Sequence, residues 1–182
     1  ILNAGNSGTL ARCILGLSSA TNKSFKLIGD PSLSKRDFSR VIKPLNLFGL
    51  KINSKKGKLP LEYTGTNLLR PIKYTENKGS AQIKTCIILS GINTPGVTKI
   101  RAKRSRDHTE LLLKNLNYPI KIKKKKYYDL IEVKGLNEFK SFDYNIPGDI
   151  SSAAFFIVLT LLSKKSDLLI KNVNINESRI GI

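Results

Sequence analysis

The feature that most constrains this 182-residue chain is that it repeats itself. Ser7-Gly8-Thr9-Leu10-Ala11-Arg12-Cys13-Ile14-Leu15 aligns with Ser80-Ala81-Gln82-Ile83-Lys84-Thr85-Cys86-Ile87-Ile88. A third copy runs Gly148-Asp149-Ile150-Ser151-Ser152-Ala153-Ala154-Phe155-Phe156. Each copy passes from small and polar residues into an apolar helical pattern, at a spacing of roughly seventy residues. Such self-similarity marks one supersecondary unit used several times.

The second half of the unit recurs as well. Ser34-Lys35-Arg36-Asp37 matches Arg104-Ser105-Arg106-Asp107, and both are expected to open an amphipathic helix. Phe38, Val41, Ile42 and Leu45 mark the apolar stripe of the first helix; Leu111, Leu112 and Leu116 mark the second. Strands follow at Phe48-Gly49-Leu50-Lys51-Ile52 and Tyr118-Pro119-Ile120-Lys121-Ile122. Each is paired across a polar turn with a further strand, Leu59 to Thr64 and Leu130 to Lys134. The linking strands are expected at Phe25 to Ile28, Thr98 to Ala102 and Leu168 to Val173. One apolar strand ahead of each first helix would complete βαβαββ. The expected class is a layered α/β (α+β) fold.

The segment "FDYNIPGD" reads as extended chain before a helix start, which suits a domain crossover near Tyr144 to Pro147. The expected division is 1–146 and 147–182. The chain opens just before a first helix, and its third unit reaches Glu177-Ser178-Arg179 and stops. It contains no Met, so a piece of a longer protein is expected.

The formal net charge of +19 points to anionic partners: nucleic acid, a membrane surface, or phosphorylated and carboxylated small molecules. The excess is mainly Lys in a chain rich in Ile and Asn, which an A/T-biased genome would also produce. The run "KIKKKKYYD", Lys121 to Asp129, falls at a hairpin. It reads as a solvated turn, although Tyr127 and Tyr128 are of a type that stacks on bases. The longest apolar run, Ile150 to Leu162, is too short for a membrane span. Cys13 and Cys86 lie in apolar stretches without metal-ligand spacing and read as buried free thiols. A single His, His108, gives little support to a His metal site or a Ser-His-Asp triad, and no carboxylate pair stands out as an acid/base couple.

The recurring loops carry chemistry of their own. Free backbone N–H groups at helix starts favour anions, and Arg adds a planar fork for carboxylate or phosphate. Several such loops meeting at one place would hold a multiply anionic ligand, and Gly8 would allow it close approach. Each residue also has a plainer use. Arg36 can pair with Asp30 or Asp37, and Arg106 with Asp107 or Glu110. Ser80 can be a helix cap, Gln82 an ordinary first-turn residue, and Arg12 a cover over a neighbouring strand.

Read together, the segments resemble the 5-enolpyruvylshikimate-3-phosphate (EPSP) synthase family. The strings are "NAGNSGT" (Asn3 to Thr9), "GDPSLSKRDFSRVIKPL" (Gly29 to Leu45), "LPLEYTG" (Leu59 to Gly65), "GSAQIKTCIILSGINTPG" (Gly79 to Gly96), "SRDHTELLL" (Ser105 to Leu113) and "IPGDISSAAFF" (Ile146 to Phe156). They stand in the family's order, and "SAQIK" and "SRDHTE" are similar to the bacterial class II branch. The resemblance implies transfer of a carboxyvinyl group from phosphoenolpyruvate to the 5-hydroxyl of shikimate 3-phosphate, with release of phosphate, on the route to chorismate and aromatic amino acids. It implies two lobes, each of three βαβαββ units, closing over substrate. Residues 1–146 would form most of the N-terminal lobe, Tyr144 to Gly148 a hinge, and 147–182 the crossover and start of the second lobe.

By the same resemblance, Ser80, Ala81, Gln82 and Arg106 would bind shikimate 3-phosphate. Asn6, Gly8 and Arg36, with Gln82 shared, would bind phosphoenolpyruvate. Gly8 matches the pattern sensitive to the inhibitor glyphosate. No cofactor, metal, nucleic acid or membrane is implied, and a monomer in the bacterial cytoplasm is expected. The family's Lys-Ser…Arg loop would precede Ile1, and its catalytic Asp and Glu would follow Ile182, so this stretch alone is expected to be inactive. The sister enolpyruvyl transferase acting on UDP-N-acetylglucosamine shares fold and donor. "SAQIK", "SKRD" and "SRDHTE" argue against it, and neither cysteine matches its reactive-loop Cys.

Overall fold

The repeat becomes a pair of sheets with the same connectivity. In the computed structural model, which describes residues 1–179, β1 (Leu2–Asn3), β2 (Ser24–Ile28), β3 (Lys51–Ser54) and β4 (Leu61–Thr64) form a sheet in the order β1-β2-β4-β3. β5 (Lys73–Glu76), β6 (Val97–Lys103), β7 (Ile120–Lys124) and β8 (Tyr128–Lys134) form the other in the order β5-β6-β8-β7. In both, the first two strands are parallel and the remaining pairings antiparallel.

Each parallel pair is bridged by a helix, α1 (Gly8–Leu17) in the first and α4 (Ala81–Ile92) in the second. Helical chain follows the second strand too. The first sheet has α2 (Pro31–Ser34) and α3 (Ser39–Leu47), and the second has α5 (His108–Asn115). With β1 and β5 ahead of the first helices, the βαβαββ unit is complete twice. The mixed α/β class expected from the repeat is the class observed.

Alternation along the strands sets which side faces the helices. β6 alternates exposed and buried residues without a break, turning Thr98, Ile100 and Ala102 inward. Ile100 lies opposite Ile131, and Leu27 opposite Leu61. The helices close one core over both sheets, with Leu15, Phe38, Leu45, Ile83, Ile87 and Ile88 among its buried members. α4 is apolar on nearly all sides because it packs on both α1 and its own sheet. α1 and α4 cross at Gly16, where a Cβ would run into the backbone carbonyl of Cys86.

Three sequence expectations need correction. Ser34-Lys35-Arg36-Asp37 does not open a helix but links α2 to α3. Asp30 caps α2 through Leu33 N (2.6 Å), and Asp37 accepts from Ser39 N (2.8 Å), so the chain breaks between two capped turns. The strand expected from Phe48 starts at Lys51, because Phe48 ends α3 and Gly49 turns the chain at φ +105°. The strand expected at Leu168 to Val173 is a single parallel bridge between Gly148 and Val173.

The chain divides into two compact units, Ile1–Phe139 and the residues from Lys140 onward. In the second, α6 (Ile150–Leu162) starts on Asp149, whose carboxylate accepts from Ser151 N at 3.0 Å and pairs with Arg179 at 3.1 Å. Of the residues of α6 only Ala153 is buried. No helix of the described residues is long and apolar enough to cross a membrane.

Candidate active site

The site begins at the N-terminus of α1. Ser7 caps the helix by accepting from Leu10 N (3.1 Å), and Gly5, at φ +53°, turns the loop that carries Asn6. Gly8 is buried although the residues around it are exposed. The reason is overhead: a Cβ on Gly8 would stand 2.8 Å from Arg12 Nη1 and 3.0 Å from Arg36 Nη1. Guanidinium groups from one turn along α1 and from the α2–α3 link therefore meet above a bare helix start.

Arg12 is the hub. Its Nη1 donates to Gly8 O (3.1 Å) and to Gln82 Oε1 (2.9 Å), its Nη2 donates to Asp37 O (3.4 Å), and its guanidinium stacks 5.0 Å from the Phe38 ring centre. Gln82 Nε2 donates in turn to Thr9 Oγ1 at 2.7 Å. Arg36 Nη2 reaches Asn6 Oδ1 at 3.5 Å. The carboxylates that sequence alone offers to Arg36 are already serving as caps, Asp30 on Leu33 N and Asp37 on Ser39 N. Burial, followed by the nearby charges of Arg36 and Arg40, pulls the Arg12 pKa below its ordinary value. The Asp37 carboxylate acts the other way on Arg12, but burial and the two neighbouring guanidinium groups outweigh it, so positive charge predominates here.

Gln82 also faces a cleft of about 260 Å³, lined by Thr9 and Cys13 of α1, Ala81, Gln82 and Thr85 of α4, and Arg106, His108 and Thr109 at the start of α5. Ser80 is the N-cap of α4, its Oγ accepting from Ile83 N at 3.4 Å. The loop before it is held from below: Glu76 accepts from Lys78 N (2.9 Å), Gly79 N (2.7 Å) and Ser80 N (3.1 Å). Asn6, Gly8 and Arg36 thus gather at one end, Ala81 and Arg106 at the other, and Gln82 joins them.

Comparison with known proteins decides the family. The sequence model for EPSP synthase (3-phosphoshikimate 1-carboxyvinyltransferase) matches residues 1–182. The chain belongs to the EPSP synthase family. It is 43% identical over 182 residues to the 3-phosphoshikimate 1-carboxyvinyltransferase of Ruthia magnifica, covering 100% of this chain and 41% of that protein. It is 41% identical over 179 residues to that of Clostridium tetani, covering 98% of this chain and 40% of that protein. The EPSP synthase structure from Acinetobacter baumannii superposes with a TM-score of 0.82 at 36% identity, over 96% of this chain and 39% of that one. The chain therefore spans about two fifths of the length of the relatives it matches.

Within this EPSP synthase fold, several cleft residues were not legible as such. Arg12 does not cover a strand; it sits one turn from Gly8 on the same helix face, a spacing that would have marked it. Thr9, Thr85 and Thr109 gave no sequence signal. Cys13, expected to be buried, is half-buried and lines the cleft, whereas Cys86 is fully buried. His108 is exposed at the start of α5 and also lines it. The basic hairpin is the β7–β8 turn. Its tyrosines are stacked by cations of the same unit, Arg101 4.2 Å from the Tyr128 ring centre and Lys126 5.2 Å from that of Tyr127.

Proposed function

We propose that this chain supplies substrate-binding elements for transfer of the enolpyruvyl group from phosphoenolpyruvate to the 5-hydroxyl of shikimate 3-phosphate. In this reading Ser80, Ala81, Gln82 and Arg106 bind shikimate 3-phosphate, and Asn6, Gly8 and Arg36, with Gln82 shared, bind phosphoenolpyruvate. Residues 1–146 belong to the N-terminal lobe, and 147–182 lead into the second. The enzyme works as a monomer in the bacterial cytoplasm, without a cofactor, and is sensitive to glyphosate.

The observation that carries the reading is the junction at Gln82. Its amide is tied to Arg12 and Thr9 on the Gly8 side and lines the cleft that Arg106 enters. A residue so held is suited to stand between two adjacent anions. Both substrates carry a phosphate and a carboxylate, and the surplus guanidinium charge at Gly8 suits such a pair. The names of the relatives support the same chemistry. These residues contribute positioning and charge neutralisation; proton transfer is assigned to none of them.

The test is direct. Shikimate 3-phosphate is expected to raise the melting temperature of the full-length gene product and UDP-N-acetylglucosamine to leave it unchanged. The full-length gene product is expected to release phosphate from phosphoenolpyruvate only when shikimate 3-phosphate is present. Stabilisation by the nucleotide sugar alone would reverse the assignment.

A further inference from the structure

Beneath the cleft lies a pair of charges that the substrate-binding reading does not use. Lys84 Nζ stands 2.6 Å from Glu110 Oε1, with the two side chains 0% and 2% exposed. Lys84 is one turn or less from Gln82 and Thr85 on α4, and Glu110 directly follows Thr109 on α5. A second tie runs alongside, Thr85 Oγ1 to Thr109 Oγ1 at 2.7 Å.

Stability does not account for the pair. Taking two charges out of water costs several kcal/mol, and an apolar pair of similar volume usually serves a core as well or better. Among the described residues, no other side chain donates to either Glu110 oxygen. Burial outweighs the attraction of Lys84 and holds the Glu110 pKa above the ordinary carboxylate range, with the nearby charge of Asp107 adding to it. What a short ion pair does well is fix distance. α4 carries Ala81 and Gln82 along one wall of the cleft. The start of α5 carries Arg106 and His108 along the other, and Asp107 between them is tied to Lys124 Nζ of β7 at 3.0 Å.

We infer that Lys84 and Glu110, with Thr85 and Thr109, form a clamp that sets the width of the cleft between α4 and α5, and that Lys84 and Glu110 are positioning residues for shikimate 3-phosphate. The inference rests on the proposed function. It makes a selective demand: the clamp joins the two walls assigned to shikimate 3-phosphate and reaches the Gly8–Arg36 end only through Gln82, so binding of shikimate 3-phosphate should suffer the more.

Steady-state kinetics of the full-length gene product test it. Lys84→Met/Glu110→Leu keeps the core filled and removes the clamp. The expected result is a KM for shikimate 3-phosphate raised roughly tenfold or more, with kcat and the KM for phosphoenolpyruvate within about threefold of wild type. Glu110→Gln, which keeps a carbonyl acceptor for the Lys84 ammonium, is expected to fall between. An unchanged KM for shikimate 3-phosphate in the double variant overturns the clamp, as does an equal rise in both KM values. Should the double variant not fold, Glu110→Gln decides by the same criteria. A wild-type enzyme that does not turn over shikimate 3-phosphate overturns the functional reading itself, an outcome visible before any variant is made.

Discussion

Arg12 Nη1 donates to Gln82 Oε1 at 2.9 Å, joining the first helix of one repeat to the first helix of the next across 70 residues of sequence. The same nitrogen donates to Gly8 O at 3.1 Å. One guanidinium therefore holds both the bare helix start and the glutamine that faces the cleft. Arg12→Ala frees Gln82 and removes charge at once, and is expected to weaken phosphoenolpyruvate binding by about 1.5–3 kcal/mol, or roughly 10- to 150-fold. Arg12→Lys keeps the charge but not the planar fork, and should recover only part of this. Titration calorimetry of both variants against wild type checks the order.

At Gly8 the neighbours are the tips of flexible side chains: a Cβ there would stand 2.8 Å from Arg12 Nη1 and 3.0 Å from Arg36 Nη1. Gly8→Ala is therefore expected to fold with a stability within about 1 kcal/mol of wild type, since alanine is also the better helix residue. The methyl group displaces the two guanidinium groups and takes space from the anion they would hold. Glyphosate, longer than phosphoenolpyruvate, should suffer more, its inhibition constant rising by roughly tenfold more than the KM for phosphoenolpyruvate. Parallel inhibition and substrate curves give the ratio, and equal changes would remove Gly8 from the site.

The architecture was legible because it is written twice. Apolar spacing in one unit could be checked against the other, and the matching sheets follow from that. Local chemistry escaped where polar residues overrode the pattern. Lys35, Arg36 and Asp37 looked like a helix start, but Asp30 and Asp37 each cap a turn and so cut the helix in two. Leu168 to Val173 has the apolar character of a strand, and its observed ladder is one bridge to Gly148. Strand character in sequence states a tendency, and pairing needs a partner. Arg12, Lys84 and Glu110 were illegible for a related reason: periodicity registers apolar side chains, and these are charges placed among them.

Gly16 has no such flexible neighbour. A Cβ there would collide with the backbone carbonyl of Cys86, and with Cys86 C and Cα at 3.0 Å. Neither helix can yield locally, because Ala11, Leu15, Cys86 and Ile87 pack in the same buried seam. Gly16→Ala must push α1 from α4 and is expected to cost about 2–3 kcal/mol. Separation of these helices also pulls Arg12 from Gln82, so substrate affinity should fall together with the urea midpoint, whereas in Gly8→Ala the two should part.

The two thiols offer a reading of the cleft in solution. Burial pushes the Cys13 thiol pKa up from its ordinary value, the nearby Arg12 charge opposing it in part. Burial raises Cys86 further, and Cys86 is 0% exposed. The thiolate is the reactive species. Below the raised pKa its fraction at Cys13 grows with pH, so labelling by N-ethylmaleimide should climb steadily as the pH is raised through the neutral and mildly alkaline range. Cys86 should stay unlabelled until the chain unfolds. Because Cys13 lines the same cleft as Gln82 and Arg106, shikimate 3-phosphate should slow its labelling and leave the pH slope unchanged. Peptide mass spectrometry resolves the two sites. Equal labelling of Cys86 would contradict the packed α1–α4 seam, and Cys13 labelling indifferent to shikimate 3-phosphate would take the ligand out of this cleft.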